Sequence, residues 1–136
     1  MATRKRIVEA ARKRRSPELN SVRVLVLPDE EHVPDEDPDF VAPLDRADFE
    51  NRKQAFQRGD FSFVGVVAKA EIVVDGIVQT ITSGGLWGIE SDSDKTYIAE
   101  VADDEYGDLR RILKTLGVPT SELPMKVDPK WIEWRV

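Results

Sequence analysis

The 136-residue sequence predicts an α+β fold: an antiparallel sheet of four to five strands, packed by a C-terminal helical region and a shorter helix. Apolar side chains recur at every second position from Val64 to Val74, the period of a strand with one buried face. Residues 109–116 instead place leucine and isoleucine at the three- and four-residue spacing of a helix that packs on a sheet. Both layers fit within the single domain expected for this length.

Residues 1–17 are predicted to be a basic, flexible arm, and residues 18–136 to be the domain. Seven bases and one acid give residues 1–15 a net charge of 7 − 1 = +6, whereas residues 16–136, with 13 bases and 25 acids, carry −12. The bases of the arm are Arg4, Lys5, Arg6, Arg12, Lys13, Arg14 and Arg15. Because isolated short helices are marginally stable in water, we expect the arm to order only on binding.

Three alternating valines, Val22, Val24 and Val26, predict the first strand, which Pro28 closes. An acidic loop is predicted next, over residues 28–43, because residues 29–39 hold seven acids and no base. These acids are Asp29, Glu30, Glu31, Asp35, Glu36, Asp37 and Asp39. The helical spacing of residues 44–58 then predicts the shorter helix, which ends at Gly59.

The segment 61–90 is predicted to be a three-strand meander. Its first strand, Phe61–Val74, is long, and Gly65 marks a bulge or bend within it. The dipeptide Asp75-Gly76 is a strong hairpin signal, so residues 77–82 form the partner strand. We interpret Ser83-Gly84-Gly85 as a second turn, followed by a third strand over residues 86–90.

A helical region is predicted over residues 94–116, with Asp94 or Ser93 as its N-cap and Gly117 at its end. Gly107 and the acids before it leave open whether this region is one helix or two. The alternation of residues 131–136 predicts an additional edge strand.

The glycine-rich stretch 83–94 is the most unusual part of the sequence. Glycine-rich loops bind phosphate when they precede a helix, but this one precedes a strand and lacks the Lys-Ser/Thr pair of a Walker loop. Glu90, Asp92 and Asp94 alternate and could hold Ca²⁺, yet the EF-hand spacing fails. Tight turns and helix capping explain these residues better, so we predict no cofactor and no metal.

Catalysis is not expected. The chain has no cysteine and no Gly-x-Ser-x-Gly motif, and its one histidine, His32, lies in the acidic loop where a base would be poorly held. With 26 acids, some carboxylate pair is always available, so such pairs carry no information. The absence of cysteine, of a secretory signal and of an apolar membrane span predicts a cytoplasmic protein with no membrane partner.

The two charged regions predict binding instead. The acids of residues 29–39, together with Glu90, Asp92 and Asp94, could imitate a nucleic-acid backbone and occupy a basic groove on a partner protein. The arm could alternatively bind nucleic acid, because each Lys or Arg contact with a phosphate releases counterions. A solvated acidic face and a solubilising terminus are the simpler explanations. Trp87, Trp131 and Trp134 are candidate interface anchors or core residues.

The segment 66–118, with the strand AEIVV, the centre ITSGGLWGIESDSD and the helix end LRRILKTLG, resembles a group of small uncharacterised phage and bacterial proteins. The resemblance implies an accessory protein of a phage or mobile element, a class that often binds host machinery. We therefore expect a non-enzymatic binding protein whose acidic surface docks on, and inhibits, a basic host protein such as a nucleic-acid-handling complex. The alternative is a nucleic-acid-binding module that uses the basic arm; an enzyme or a metal-binding protein is expected less.

Overall fold

A computed structural model describes residues 16–32 and 46–136 of the chain. Most of the predicted arm, residues 1–15, and most of the predicted acidic loop, residues 33–43, lie outside the described residues. The α+β fold is confirmed: the described residues form a five-stranded, mostly antiparallel sheet and two α-helices. The elements in chain order are β1 (Glu18–Pro28), α1 (Arg46–Gln57), β2 (Phe63–Val74), β3 (Ile77–Thr82), β4 (Leu86–Glu90), α2 (Lys95–Thr115) and β5 (Ile132–Trp134).

The long strand β2 organises the sheet. One edge of β2 pairs antiparallel with β1, which in turn pairs in parallel with β5, and the other edge pairs with both β3 and β4. The tail therefore adds the edge strand that its alternation predicted. The predicted hairpin is also confirmed, since Asp75 (φ 54°) and Gly76 (φ 78°) both have the positive φ of a type I′ turn.

The prediction of a three-strand meander is wrong at Ser83–Gly85. These residues do not reverse the chain; β4 continues along β2 in the direction of β3, with Thr82 opposite Lys69 and Leu86 opposite Val66. Ser-Gly-Gly has the composition of a turn, but β2 has twelve residues and β3 only six. Pairing β4 with the remaining half of β2 satisfies backbone groups that a second turn would leave open. Gly65 lies at the irregularity of this pairing, as predicted.

The core lies between one face of the sheet and α2. Small and β-branched side chains of β1 and β2 meet large side chains of α2 there, and α2 packs across β2. The fully buried α2 residues are Ala102, Tyr106, Leu109 and Leu113. The helix is continuous through Gly107, begins after the cap residue Asp94 and ends at Gly117 (φ 81°). Neither helix of the described ranges is long and apolar enough to cross a membrane.

Candidate functional site

The exposed side chains of greatest interest surround Trp87 on β4, on the sheet face opposite α2. A Cβ atom built at Gly65 would lie only 2.0 Å from Cε3 of Trp87, and one at Gly85 would lie 2.8 Å from its Nε1. One face of the indole therefore rests on two glycines that have no side chain to displace it. Because 47% of Trp87 remains exposed, the other face is open to solvent.

The residues that follow β1 fold back onto β4 and form the second wall of this site. The Asp29 carboxylate accepts a hydrogen bond from the Gly88 N–H at 2.9 Å, and the Asp29 N–H donates to the Phe63 carbonyl at 2.9 Å. The His32 imidazole lies over Gly88, where a Cβ would come within 2.8 Å of its Cε1. Gly88 has a φ of 74°, so glycine is required both by the backbone and by the ring above it.

His32 differs from the sequence-based expectation. Its ring packs edge-on against Phe63 with the centroids 4.5 Å apart. The ring therefore contacts both β2 and β4, although His32 lies in the acidic segment that follows β1. The close approach to Gly88 is thus made by an imidazole ring. No spacing in the sequence connects His32 to Gly88, because β1 and β4 come together only through β2.

An open cleft of about 750 Å³ lies between these two walls. Its lining residues are Pro28, Asp29, Glu30, Glu31, His32 and Trp87. Glu30 and Glu31 are exposed, whereas Asp29 is half-buried against β4. The cleft therefore combines an accessible aromatic face with carboxylates, and its lining, among the described residues, includes neither lysine nor arginine.

The second predicted acidic group, Glu90, Asp92 and Asp94, has intramolecular partners. Arg52 of α1 forms a bidentate hydrogen bond with Asp92, at 2.8 and 3.1 Å, and also bonds Glu90. Its guanidinium lies 3.9 Å from the centroid of Phe61. Asp94 accepts from the Thr96 N–H as the α2 cap. The capping role predicted for Asp94 is thus confirmed.

These contacts divide the predicted docking acids. Asp29, Glu90, Asp92 and Asp94 hold the fold together, while Glu30 and Glu31 face solvent. Asp35, Glu36, Asp37 and Asp39, and every named base of the arm, lie outside the described residues. In residues 16–32 and 46–136 no group of three acids or histidines is arranged to hold a metal ion. Glu90 and Asp92 could not have been paired with Arg52 from the sequence, which separates them by 38 and 40 positions.

The Arg52 contacts predict an acid-dependent loss of stability. The hydrogen bond from Arg52 lowers the pKa of Asp92, which therefore stabilises the fold above the unfolded pKa, about 4, and ceases to as pH falls through the lower folded value. We expect the urea midpoint of the wild type to fall between about pH 5 and pH 3 more than that of Arg52→Gln. The Arg58→Gln variant, whose arginine bonds Asp60 instead, is the matched control and should respond as the wild type does. Equal losses in wild type and Arg52→Gln would contradict this assignment.

A second charged group on the same sheet face was not predicted. Glu133 of β5 accepts hydrogen bonds from Arg23 at 3.2 Å and from Arg135 at 3.0 Å. Both arginines line a small depression of about 180 Å³ together with Lys69. The two arginines, Arg135 first, lower the pKa of Glu133. Arg23 and Lys69 lie on the face of β1 and β2 that carries both polar and apolar side chains, a pattern visible in the sequence. Glu133 joins this charged group only because β5 pairs with β1.

Trp131 and Trp134 differ in their environments. Trp131 is half-buried and packs against Tyr106 with the centroids 6.0 Å apart, so it belongs to the core edge. Trp134, 49% exposed, lies on β5 and is not part of the cleft lining. Of the three tryptophans, Trp87 is therefore the one that meets the exposed acids.

Comparison of the chain with protein-family models, with curated proteins and with solved structures finds no match.

Proposed function

We propose that this chain is a non-enzymatic binding protein that docks a basic segment of a partner protein in the Trp87 cleft. The observation that carries the proposal is the juxtaposition of an open indole face with exposed carboxylates in one cleft. Tryptophan is the best aromatic acceptor for a cation, and the carboxylates attract the same lysine or arginine from a distance. A phosphate backbone would be repelled by this lining.

The partner class follows from the charges. A segment with alternating Lys or Arg side chains can place one cation over Trp87 and another beside Glu30 and Glu31. The remaining acids of residues 29–39 continue the same stretch of chain and extend the attraction. A basic host protein that handles nucleic acid fits this chemistry, and occupying its basic surface would inhibit it. The cysteine-free composition is compatible with action in the reducing cytoplasm.

The test is the binding of a labelled peptide of alternating arginine and glycine, measured by fluorescence anisotropy with the full chain. The Trp87→Ala variant should bind about tenfold more weakly, because it loses the cation–π contact in a partly desolvated cleft. Trp134→Ala removes an equally exposed indole outside the cleft and should leave the affinity unchanged. Gly65→Ala should act like Trp87→Ala, since its methyl group would displace the indole.

The charge dependence separates specific docking from general attraction. Replacing Glu30 and Glu31 together with glutamine should weaken binding and flatten its dependence on salt. Glu122→Gln, an exposed acid in the C-terminal segment, is the control. A peptide with citrulline in place of arginine keeps the shape without the charge and should not bind. Equal affinity of the wild type and Trp87→Ala for the arginine peptide would refute the proposed site.

A further inference from the structure

The outer edge of β3 lies outside the cleft and carries no charged side chain. Residues 76–89 contain no charged side chain, although 34% of the whole sequence is charged. All of β3 lies within this neutral run, and Ile77 (61% exposed) and Val78 (56%) project from it into solvent. Native edge strands are usually protected by charges, prolines or bulges, and β3 has none of these.

The register of the hairpin identifies which backbone groups face outward. In a two-residue hairpin the residues that flank the turn, Val74 and Ile77, exchange both hydrogen bonds, and hydrogen-bonded pairs then recur at every second position. The Ser83 N–H, which donates to the Ala68 carbonyl at 2.9 Å, agrees with this alternation. The backbone groups of Ile77, Gln79 and Ile81 therefore face β2.

The backbone N–H and C=O groups of Val78, Thr80 and Thr82 face away from β2. Within residues 16–32 and 46–136 no strand pairs with them, since β3 is an end of the sheet order. The three residues are β-branched, the type that pairs best across neighbouring strands. The row of outward donors and acceptors is thus ready for one more strand.

We propose that this strand is β3 of a second copy of the chain, paired antiparallel about a two-fold axis at Thr80. Thr80 then faces Thr80 of the other copy, and Val78 faces Thr82 in both directions. All three outward-facing residues are used, which gives about six backbone hydrogen bonds. An axis at Gln79 would use fewer of the outward-facing residues. The alternation of inward- and outward-facing residues therefore favours pairing about Thr80, with a second copy as the partner.

The uncharged edge permits a second copy to pair there and disfavours a strongly basic or acidic partner. The chain carries a net charge of −6, so two copies repel each other over most of their surface. The neutral edge allows approach without that repulsion and offers no charge to attract a basic or acidic segment. Glu71, the neighbour of Thr80 on β2, would be three strand spacings, about 14 Å, from its symmetry mate. That distance exceeds the screening length of about 8 Å at physiological salt.

The dimer should be weak, because six residues on each side are fewer than the roughly 20–30 of a standard interface. Sedimentation velocity of the full chain should give a mass near the 15.4 kDa of one copy when dilute and approach twice that value by ~500 μM. Thr80→Lys places two ammonium groups on the axis and should keep the protein monomeric. Thr115→Lys, the same change at an exposed position of α2, should dimerise as the wild type does.

Residue-level measurements test the register. In dilute protein the amides of Val78, Thr80 and Thr82 should exchange rapidly and become protected at high concentration, whereas Gln79 and Ile81 should be protected throughout. A single Thr80→Cys variant should oxidise to a linked dimer at least about tenfold faster than Thr115→Cys, since facing hydrogen-bonded residues have Cα atoms about 5.5 Å apart. A monomer at ~500 μM, a dimer that persists in Thr80→Lys, or outward amides already protected when dilute would each overturn the proposal.

Discussion

Replacing Tyr106 with alanine is expected to lower the free energy of unfolding by about 4 kcal/mol, the largest effect of any single substitution considered for this chain. Tyr106 is fully buried on α2, among the residues that cover the sheet. Its hydroxyl donates to the Pro124 carbonyl at 2.7 Å, and its ring contacts Trp131. The substitution therefore creates a cavity and removes one of the hydrogen bonds that join the C-terminal segment to α2.

The Tyr106→Phe variant separates these two losses. It keeps the ring and removes only the hydroxyl, so we expect a loss of about 1 kcal/mol in urea denaturation. Burial raises the pKa of Tyr106, so the neutral phenol stabilises the fold below the unfolded pKa and this contribution is lost as pH rises above about 10. Tyr106→Phe should therefore lose less stability than the wild type between about pH 9 and pH 11. Similar urea midpoints for Tyr106→Ala and the wild type would contradict the assigned packing.

The second large effect is expected at Ser83, where substitution by alanine should cost about 3 kcal/mol. Ser83 is 4% exposed, and its Oγ accepts from the Ala68 N–H and donates to Glu105 Oε1, both at 2.9 Å. Alanine would deprive a buried amide and a buried carboxylate of this hydroxyl at once. Unpaired buried groups cost more than their bonds contribute when formed.

A double-mutant cycle with Glu105→Ala distinguishes this origin from a general effect of substitution at Ser83. Once the carboxylate is gone, Ser83→Ala should cost about 1–2 kcal/mol less than it does in the wild type. Ser121→Ala, at an exposed position, is the control and should change stability by less than about 0.5 kcal/mol. Additive costs of the two buried substitutions would show that Ser83 and Glu105 are not coupled.

The Ser83 contacts also explain the corrected topology. A turn at Ser83–Gly85 would move Ser83 away from β2, whereas the observed pairing keeps the Ser83 N–H on the Ala68 carbonyl and the Ser83 Oγ on the Ala68 N–H. β4 then pairs with β2 through an irregularity between Val64 and Val66, and the Trp87 indole lies over Gly65, on the face opposite α2. The cleft thus depends on an irregularity in strand pairing that the core itself maintains.

Local signals were sufficient for most of the fold. The period-two run of β2, the Asp75-Gly76 turn, the Asp94 cap and the Gly117 terminus each rest on residues close together in the chain, and each agrees with the structure. The structure also shows one continuous helix through Gly107, where the sequence left open whether the region forms one helix or two. These features depend on backbone conformation and on which face is buried, and both are encoded within a few residues.

The site depended on contacts between distant residues. The sequence singled out Trp87 and the acids of residues 29–31, but not that they line one cleft. It grouped Glu90 and Asp92 with those acids, although Arg52 forms ion pairs with both from a helix some forty positions away. Such contacts leave no periodic trace, because they arise only when separate elements pack.

The amino-acid pattern alone thus determined the elements, the two layers and the difference in charge between residues 1–15 and residues 16–136. Only the tertiary structure decided that β4 extends along β2, that four of the predicted docking acids serve the fold, and that Trp87 stays open beside Glu30 and Glu31. The physical reason is that the periods of helices and strands are set by residues close together in the chain. Strand pairing and ion pairing depend instead on which distant elements come to lie beside β2.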